Sequence, residues 1–194
     1  QYSIGQTPNA PRRAVANLYY RSVRLLRTVS VGETLRTTAT VLGLSDGKPK
    51  DGQHRGKVWL GIETVGDDGP VVRYERCALV AARHGSPGHS DTIPGPSDPV
   101  PLAEVAELVP DWDLSVLPRT EWAVGETRAD AMRDHVDLAP SLARMTFNQA
   151  FVHRDGTRSI YKKRLVYGGH VQGLAQASLS RVLPGIATVV AWDG

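Results

Sequence analysis

The sequence predicts an α+β protein, an antiparallel sheet set against one long helix. Three observations predict it. Four segments within the first 81 residues alternate apolar and polar side chains, the pattern of strands with one buried and one wet face. One late segment, Gly169–Leu183, repeats its apolar residues at helical spacing. A Pro/Gly-rich stretch lies between them and argues for two units rather than one.

Residues 1–17 read as an irregular lead-in. The first strand is Ser22–Arg27. The second is Thr34–Leu44, where Leu35, Thr37, Ala39 and Val41 alternate with Arg36, Thr38 and Thr40. The third, Lys57–Val65, puts Val58, Leu60 and Ile62 on one face. The fourth, Val71–Ala81, turns Val72 and Tyr74 inward and Arg73 and Glu75 outward. Asp67-Asp68-Gly69 is a tight-turn signal, so the last two strands pair as a hairpin. Ser45–Gly56 is polar and glycine-containing and reads as a longer loop. His84–Pro101 holds five Pro and three Gly in eighteen positions, which makes it the linker. The expected division is therefore a sheet unit over 1–83, a linker over 84–118 and a second unit over 119–194.

In the second unit, Leu102–Val109 reads as a short helix or coil and Trp122–Thr127 as a short strand. Thr127 and Asp130 fit a helix-capping pattern, and Pro140 limits the helix that follows. The long helix carries Val171, Leu174, Ala175, Ser178, Leu179, Val182 and Leu183 on one face. Gln172, Gln176 and Ser180 form its polar stripe, and Pro184-Gly185 ends it. Ile186–Trp192 reads as a buried strand.

Composition excludes several functions. The chain has 194 residues, with 23 Lys and Arg against 20 Asp and Glu, a net charge of +3. That is too small to argue for nucleic acid, and the aromatic content of 6% comes with no basic-aromatic motif. No apolar run approaches the ~20 residues a membrane helix needs. The opening residues QYSIGQTPNAPRR show no leader pattern, and the single Cys77 cannot form an internal disulfide; both favour a cytoplasmic protein. The absence of an initiator Met is consistent with a start inside a longer chain.

The six histidines, His54, His84, His89, His135, His153 and His170, show no zinc-ligand spacing, so no metal is expected. The motifs of serine hydrolases, P-loop NTPases and dinucleotide-binding folds are missing. Cys77, in a strand, reads as a buried inert thiol.

One constellation carries chemistry. Asn148 and His153 stand five residues apart, with Asp155 two residues on. Leu165-Val-Tyr-Gly-Gly-His170 follows, at the start of the long helix. Glycines at a helix N-terminus expose backbone N–H groups at the positive end of the dipole, a sound oxyanion site. An imidazole nearby titrates near neutrality and suits proton transfer. On pattern alone a second reading stands beside it: His153 caps a turn, and Gly168-Gly169 relieves crowding.

The Asn148–Asp155 segment, together with Arg164-Leu-Val-Tyr-Gly-Gly-His170, resembles the MaoC-like hot-dog hydratases, the (R)-specific enoyl-CoA hydratase superfamily. Their hydratase motif is Asp-x-Asn-x-x-His with an acid shortly after, and a Gly-containing turn opens their central helix. Ala16–Leu44, with the turn Thr28-Val29-Ser30-Val31-Gly32-Glu33-Thr34-Leu35, is similar to the superfamily's strand, turn, strand pattern. The similarity covers most of 14–83 and 119–192 and lies nearest the tandem mesaconyl-CoA hydratase (β-methylmalyl-CoA dehydratase) branch. One departure is that Asn148 stands where the motif has Asp, and an amide cannot exchange a proton as a carboxylate can. Another is coverage. The first unit shows strands without a central helix, and the second shows the helix with a single strand after it. Either the chain is a trimmed tandem protein, or the two parts complete one hot dog.

The resemblance implies a hot-dog fold, a sheet wrapped around the central helix, in two partial tandem units that pair into an oligomer, homomeric or heteromeric. It implies a hydro-lyase acting across the double bond of a short or branched enoyl-CoA or acyl-carrier thioester. No metal or redox cofactor is required, since CoA arrives with the substrate. His153 would activate water, Asn148 would hold it, and the N–H of Gly168 or Gly169 would bind the thioester oxygen. Asp155 and Tyr167 would support them. Arg12, Arg13, Arg21, Arg24, Arg27 and Arg36, with Tyr161-Lys162-Lys163-Arg164, include candidates for CoA phosphates (Arg21, Arg24, Lys162 and Lys163 foremost); a solvated face is the alternative. Two rival functions remain: a hot-dog thioesterase, which wants a carboxylate or an acid-activated water at the helix, and a non-catalytic acyl-binding or structural subunit.

Overall fold

A computed structural model describes residues 2–7, 13–159 and 161–193. Its centre is one antiparallel five-stranded sheet, ordered β2-β3-β4-β1-β5. The strands are β1 (Ala14–Leu25), β2 (Arg36–Lys50), β3 (Gln53–Gly66), β4 (Gly69–Ala81) and the short β5 (Ala191–Trp192). Helices α1 (Tyr2–Gly5), α2 (Leu102–Leu108), α3 (Ala139–Met145), α4 (Phe151–Arg154) and α5 (Gly168–Val182) complete the elements used below.

The buried face of the sheet follows the alternation in the sequence. Val23, Leu60, Ile62 and Tyr74 form the core, with Tyr20, Val58, Val72 and Ile4 of α1 packed on it. Thr64 donates to Ser3 (2.8 Å), and Ser3 donates to the Tyr74 hydroxyl (3.2 Å), so α1 is tied to the sheet by buried hydroxyls. The β3–β4 hairpin turns at Asp67-Asp68-Gly69 as expected, with Gly69 at φ +109°. Leu60 is fully buried at its centre. Leu60→Ala should therefore cost about 2–5 kcal/mol, read as a lower urea midpoint.

Several elements differ from the sequence reading. The lead-in over 1–17 holds α1 and the start of β1. Three register shifts along β1, with Ser22 at φ +51°, break its alternation and conceal the strand. The loop expected over Ser45–Gly56 is instead a hairpin. β2 and β3 pair as far as Lys50 and Gln53 around Asp51-Gly52, both at positive φ. Its tip is polar because residues 48–52 stand exposed beyond the core.

Trp122–Thr127 forms no strand. Gly125 takes φ +84°, and the Trp122 ring lies under the Arg128 guanidinium at 4.0 Å. Thr127 and Asp130 start no helix either. Asp130 accepts from Met132 N–H and ion-pairs with Arg181 on α5, and the next helix begins only at Ala139. Of Ile186–Trp192, only Ala191–Trp192 is strand, paired to Val23 and Arg24.

The Pro/Gly-rich segment is strapped to the sheet. Asp91 and Leu44 exchange two hydrogen bonds of 2.8–2.9 Å, Tyr19 donates to Pro94 O, and Arg21 donates to Gly95 O (3.0 Å). α5 lies over the core face across a cavity of about 310 Å³, with Gln172, Gly173 and Gln176 turned toward Tyr20, Val23, Val72 and Tyr74. Its polar stripe thus borders the cavity, while Val171 and Leu179 of the apolar stripe stay 50% and 39% exposed. The sheet covers α5 from one side. Charge holds the far end, where Arg181 meets Asp130 and Asp134. Among the described residues, no helix is long and apolar enough to cross a membrane.

Candidate active site

A second cavity, of about 360 Å³, opens where the N-terminus of α5 meets α4, β1 and β4. Asn148, His153, Tyr167, Gly168 and Gly169 all line it. The structure therefore brings together these five of the residues the sequence singled out. Residues from the sheet complete it: Asn17 and Tyr20 on β1, and Arg76 on β4.

His153 lies on the short α4, and Asn148 stands in the turn just before that helix. The Asn148 Oδ1 accepts the N–H of Ala150 (2.9 Å), and its own N–H donates to Ala143 O (2.8 Å). The amide is 6% exposed and also hydrogen-bonds the Tyr167 hydroxyl. An amide suits this position because it accepts and donates at once. On the His153 ring, Nδ1 sits 3.2 Å from the Leu165 carbonyl. A carbonyl only accepts, so Nδ1 carries the proton and Nε2 is left with the lone pair. Burial is the main cause holding the His153 pKa below its ordinary 6.5; the Leu165 bond opposes it and the Arg76 charge adds to it. At neutral pH the ring is an unprotonated base. The acid limb of kcat/KM should accordingly fall below pH 6.5: activity is lost as pH drops through the lowered pKa, and a limb at or above 6.5 would contradict this assignment.

Tyr167 precedes α5 and is 2% exposed, and burial lifts its hydroxyl to about 12. It stays a neutral phenol that also bonds the Thr146 side chain, with its ring centroid 5.5 Å from that of His153. No side-chain hydrogen bond caps α5 at Tyr167, so the N–H groups of Gly168 and Gly169 have no capping side-chain oxygen, and both residues line the cavity. Gly169 is required there. A Cβ on it would meet the Tyr167 ring at 2.9–3.2 Å, whereas a Cβ on Gly168 meets nothing within 4 Å.

Other expected site residues lie elsewhere. Asp155 closes a turn, accepting from Thr157 N–H (2.9 Å) and its hydroxyl (2.6 Å), and does not line the cavity. Arg21 ion-pairs with Glu75 and Asp98, and Arg24 with Glu104, so both fasten the 94–104 segment to the sheet. Arg27 is clamped to Glu33, whose carboxyl is held down at about 2 by that arginine and by the Ser30 and Asp67 N–H groups. Lys162 and Lys163 are exposed beside Tyr161, whose hydroxyl ties their loop to Val15 O (2.7 Å). Arg12 lies outside the described residues. Cys77 is fully buried, and burial raises its thiol pKa, so it is no nucleophile. Among the described residues no cluster of His, Cys, Asp and Glu could hold a metal.

Sequence reasoning missed Arg76, Tyr20 and Asn17. Strand alternation puts Tyr20 and Arg76 opposite each other in the β1–β4 register, but only the pairing itself reveals this.

No family model matches the chain. It is 32% identical to a mesaconyl-CoA hydratase from Cereibacter sphaeroides over 193 residues, 89% of this chain and 53% of that protein. A β-methylmalyl-CoA dehydratase from Chloroflexus aurantiacus is also 32% identical, over 90% of this chain and 53% of its own. The chain thus spans about half the length of the curated relatives it matches. Among solved structures, a conserved hypothetical protein from Mycobacterium tuberculosis, described as a double hot-dog fold, superposes with a TM-score of 0.78 at 36% identity, over 97% of this chain and 60% of that one. A putative MaoC domain dehydratase from Chloroflexus aurantiacus shares the fold (TM-score 0.72, 24% identity, 99% of this chain and 58% of that one). Together these matches show a hot-dog fold and a likeness to mesaconyl-CoA hydratase and β-methylmalyl-CoA dehydratase over the half of those proteins that the chain spans.

Proposed function

We propose that the chain is the His153-bearing portion of a hydro-lyase that adds water to, or removes it from, the 2,3 double bond of a short or branched enoyl-CoA thioester. The observation that carries this is the shared cavity of an unprotonated His153 and the uncapped start of α5. His153 Nε2 takes a proton from water as the water oxygen bonds to C3. Charge flows to the thioester oxygen, held by the N–H groups of Gly168 and Gly169, where one such donor is worth about 3–4 kcal/mol. Nε2 then returns the proton to C2, giving syn addition by one base. Asn148, whose Oδ1 is committed to Ala150, orients α4 and Tyr167 and presents its N–H to the incoming water.

Among the described residues, no Asp or Glu lines the cavity, which counts against a thioesterase needing a carboxylate there. CoA enters as substrate and no other cofactor is called on. Lys162 and Lys163, exposed next in sequence to Tyr161 of the cavity wall, are the cations we assign to the CoA phosphates. Residues 1–83 and 119–194 belong, in this reading, to successive hot-dog units in tandem, joined by 84–118, which pair within or between chains. A cytoplasmic setting fits the one free thiol. The test is incubation with mesaconyl-CoA and crotonyl-CoA. Loss of enoyl-thioester absorbance without free thiol supports the proposal; release of thiol, or no change in folded protein with either substrate, overturns it.

A further inference from the structure

We infer that Thr146 is a positioning residue of the reaction: held between Gly5 of α1 and the Tyr167 hydroxyl, it fixes the orientation of the Asn148 amide and of the start of α5. The chemistry is thereby tied to a strut that lies outside the cavity. The inference rests on the hydro-lyase reading of the cavity.

Thr146 caps the C-terminus of α3 and is buried. Its hydroxyl donates to Leu142 O (2.8 Å). It also bonds the Tyr167 hydroxyl, which bonds the Asn148 side chain in turn. A hydroxyl carries one proton. Thr146 gives its own to Leu142, so it accepts from Tyr167, and Tyr167 accepts from the Asn148 NH2. The Asn148 Oδ1 is held by the N–H of Ala150 (2.9 Å). The bonds therefore run one way, from Asn148 through Tyr167 and Thr146 to a backbone carbonyl, and leave the amide one orientation. Without the Thr146 oxygen, the buried Tyr167 proton turns to the Asn148 Oδ1, in competition with Ala150, because a buried donor left unpaired is costly. The backbone serves the same end. Phe147 sits in the left-handed region at φ +56°, and the Asn148 N–H reaches back to Ala143 O (2.8 Å), a helix ending that usually takes glycine. Such a turn persists where its surroundings hold it. Here α1 supplies the hold. A Cβ on Gly5 would run into the Thr146 carbonyl oxygen and lie 2.5–2.6 Å from its Cβ and Oγ1, so Gly5 abuts Thr146 directly. The segment is anchored on both sides of Gly5, through Ser3 to Thr64 and Tyr74, and through Thr7 to Arg76 Nη1 (2.9 Å). Among the described residues, neither Gly5 nor Thr146 lines the cavity.

Thr146→Val keeps the side-chain shape and removes the oxygen. With mesaconyl-CoA it should lower kcat at least tenfold, with KM within threefold of wild type. The acid limb of kcat/KM should stay where wild type has it, because the His153 ring keeps its bond to Leu165 O. Thr146→Ser, which retains the hydroxyl, should recover most of the loss. Gly5→Ala should lower kcat comparably. The double variant Gly5→Ala/Thr146→Val should fall no more than threefold below the slower single variant, since both act through one contact. A loss under tenfold in folded Thr146→Val, an equal loss in Thr146→Ser, or losses that multiply in the double variant would overturn the inference. Should Thr146→Val fail to fold, Tyr167→Phe breaks the same link and is judged by the same kcat and KM criteria. Amide resonances separate this inference from the hydratase reading. The N–H signals of Ala150, Gly168 and Gly169 should move in Thr146→Val and keep their places in Thr146→Ser. If wild type turns over no enoyl thioester, those shifts still uphold the positioning role, and unmoved signals in Thr146→Val overturn it.

Discussion

His153→Ala should lower hydration of the preferred enoyl-CoA by about 10³-fold or more while the protein keeps its fold, since a positioned general base contributes typically 10²–10⁴. The reason lies in the site geometry. Among the described residues that line the cavity, His153 is the imidazole, the side chain suited to exchange a proton near neutrality, while Tyr167 is pushed up to about 12. Among the described residues, no carboxylate lines the cavity to take over the proton. The fold should tolerate the change because the ring's bond to Leu165 O is a single contact at 3.2 Å, and the same loop is also held by Leu165 N–H donating to Val152 O (2.7 Å). Circular dichroism and the thermal midpoint should stay near wild type while kcat falls. If His153→Ala retains wild-type turnover, the base lies elsewhere and the structural-subunit reading gains.

The second large effect is expected at Gly169. Placing a methyl group there forces it against the Tyr167 ring, a buried side chain that cannot swing into solvent. Tyr167 also bonds Asn148 and Thr146, so its displacement moves the start of α4 and the oxyanion N–H groups together. Gly169→Ala should cut kcat by about 10²-fold, the loss typical when one oxyanion donor is removed or misaimed. Its thermal midpoint should also drop, whereas Gly168→Ala, with open space around its Cβ, should leave the midpoint unchanged. Equal midpoints for the two variants would show that the Tyr167 contact does not constrain the helix start.

The sheet and the long helix are legible in the sequence because both rest on periodicity. Leu60, Ile62, Val72 and Tyr74 turn inward as alternation requires, and the β3–β4 turn stands at its Asp-Asp-Gly signal. Asn148, His153 and the two glycines are legible as residue types whose chemistry belongs together, and the fold gathers them in one cavity. What escaped depends on non-local pairing. β1 is disguised by its bulges, and the β2–β3 ribbon by its polar tip. Trp122 reads as strand but stacks under Arg128. Arg21 and Arg24 look like free cations because their partners Glu75, Asp98 and Glu104 are more than fifty residues away in sequence. Arg76 shares the inward parity of Val72 and Tyr74, but only the β1–β4 register reveals that it reaches the cavity beside Tyr20.

The central claim is that water activated by His153 adds to carbon and leaves the thioester intact. Turnover of mesaconyl-CoA in ¹⁸O-labelled water, read by mass spectrometry, tests it most directly. The account predicts one ¹⁸O in the hydroxyl at C3 of an intact CoA thioester, and no label in the product of His153→Ala. Label in the carboxylate of a released acid, or no incorporation by folded wild-type protein, would contradict it.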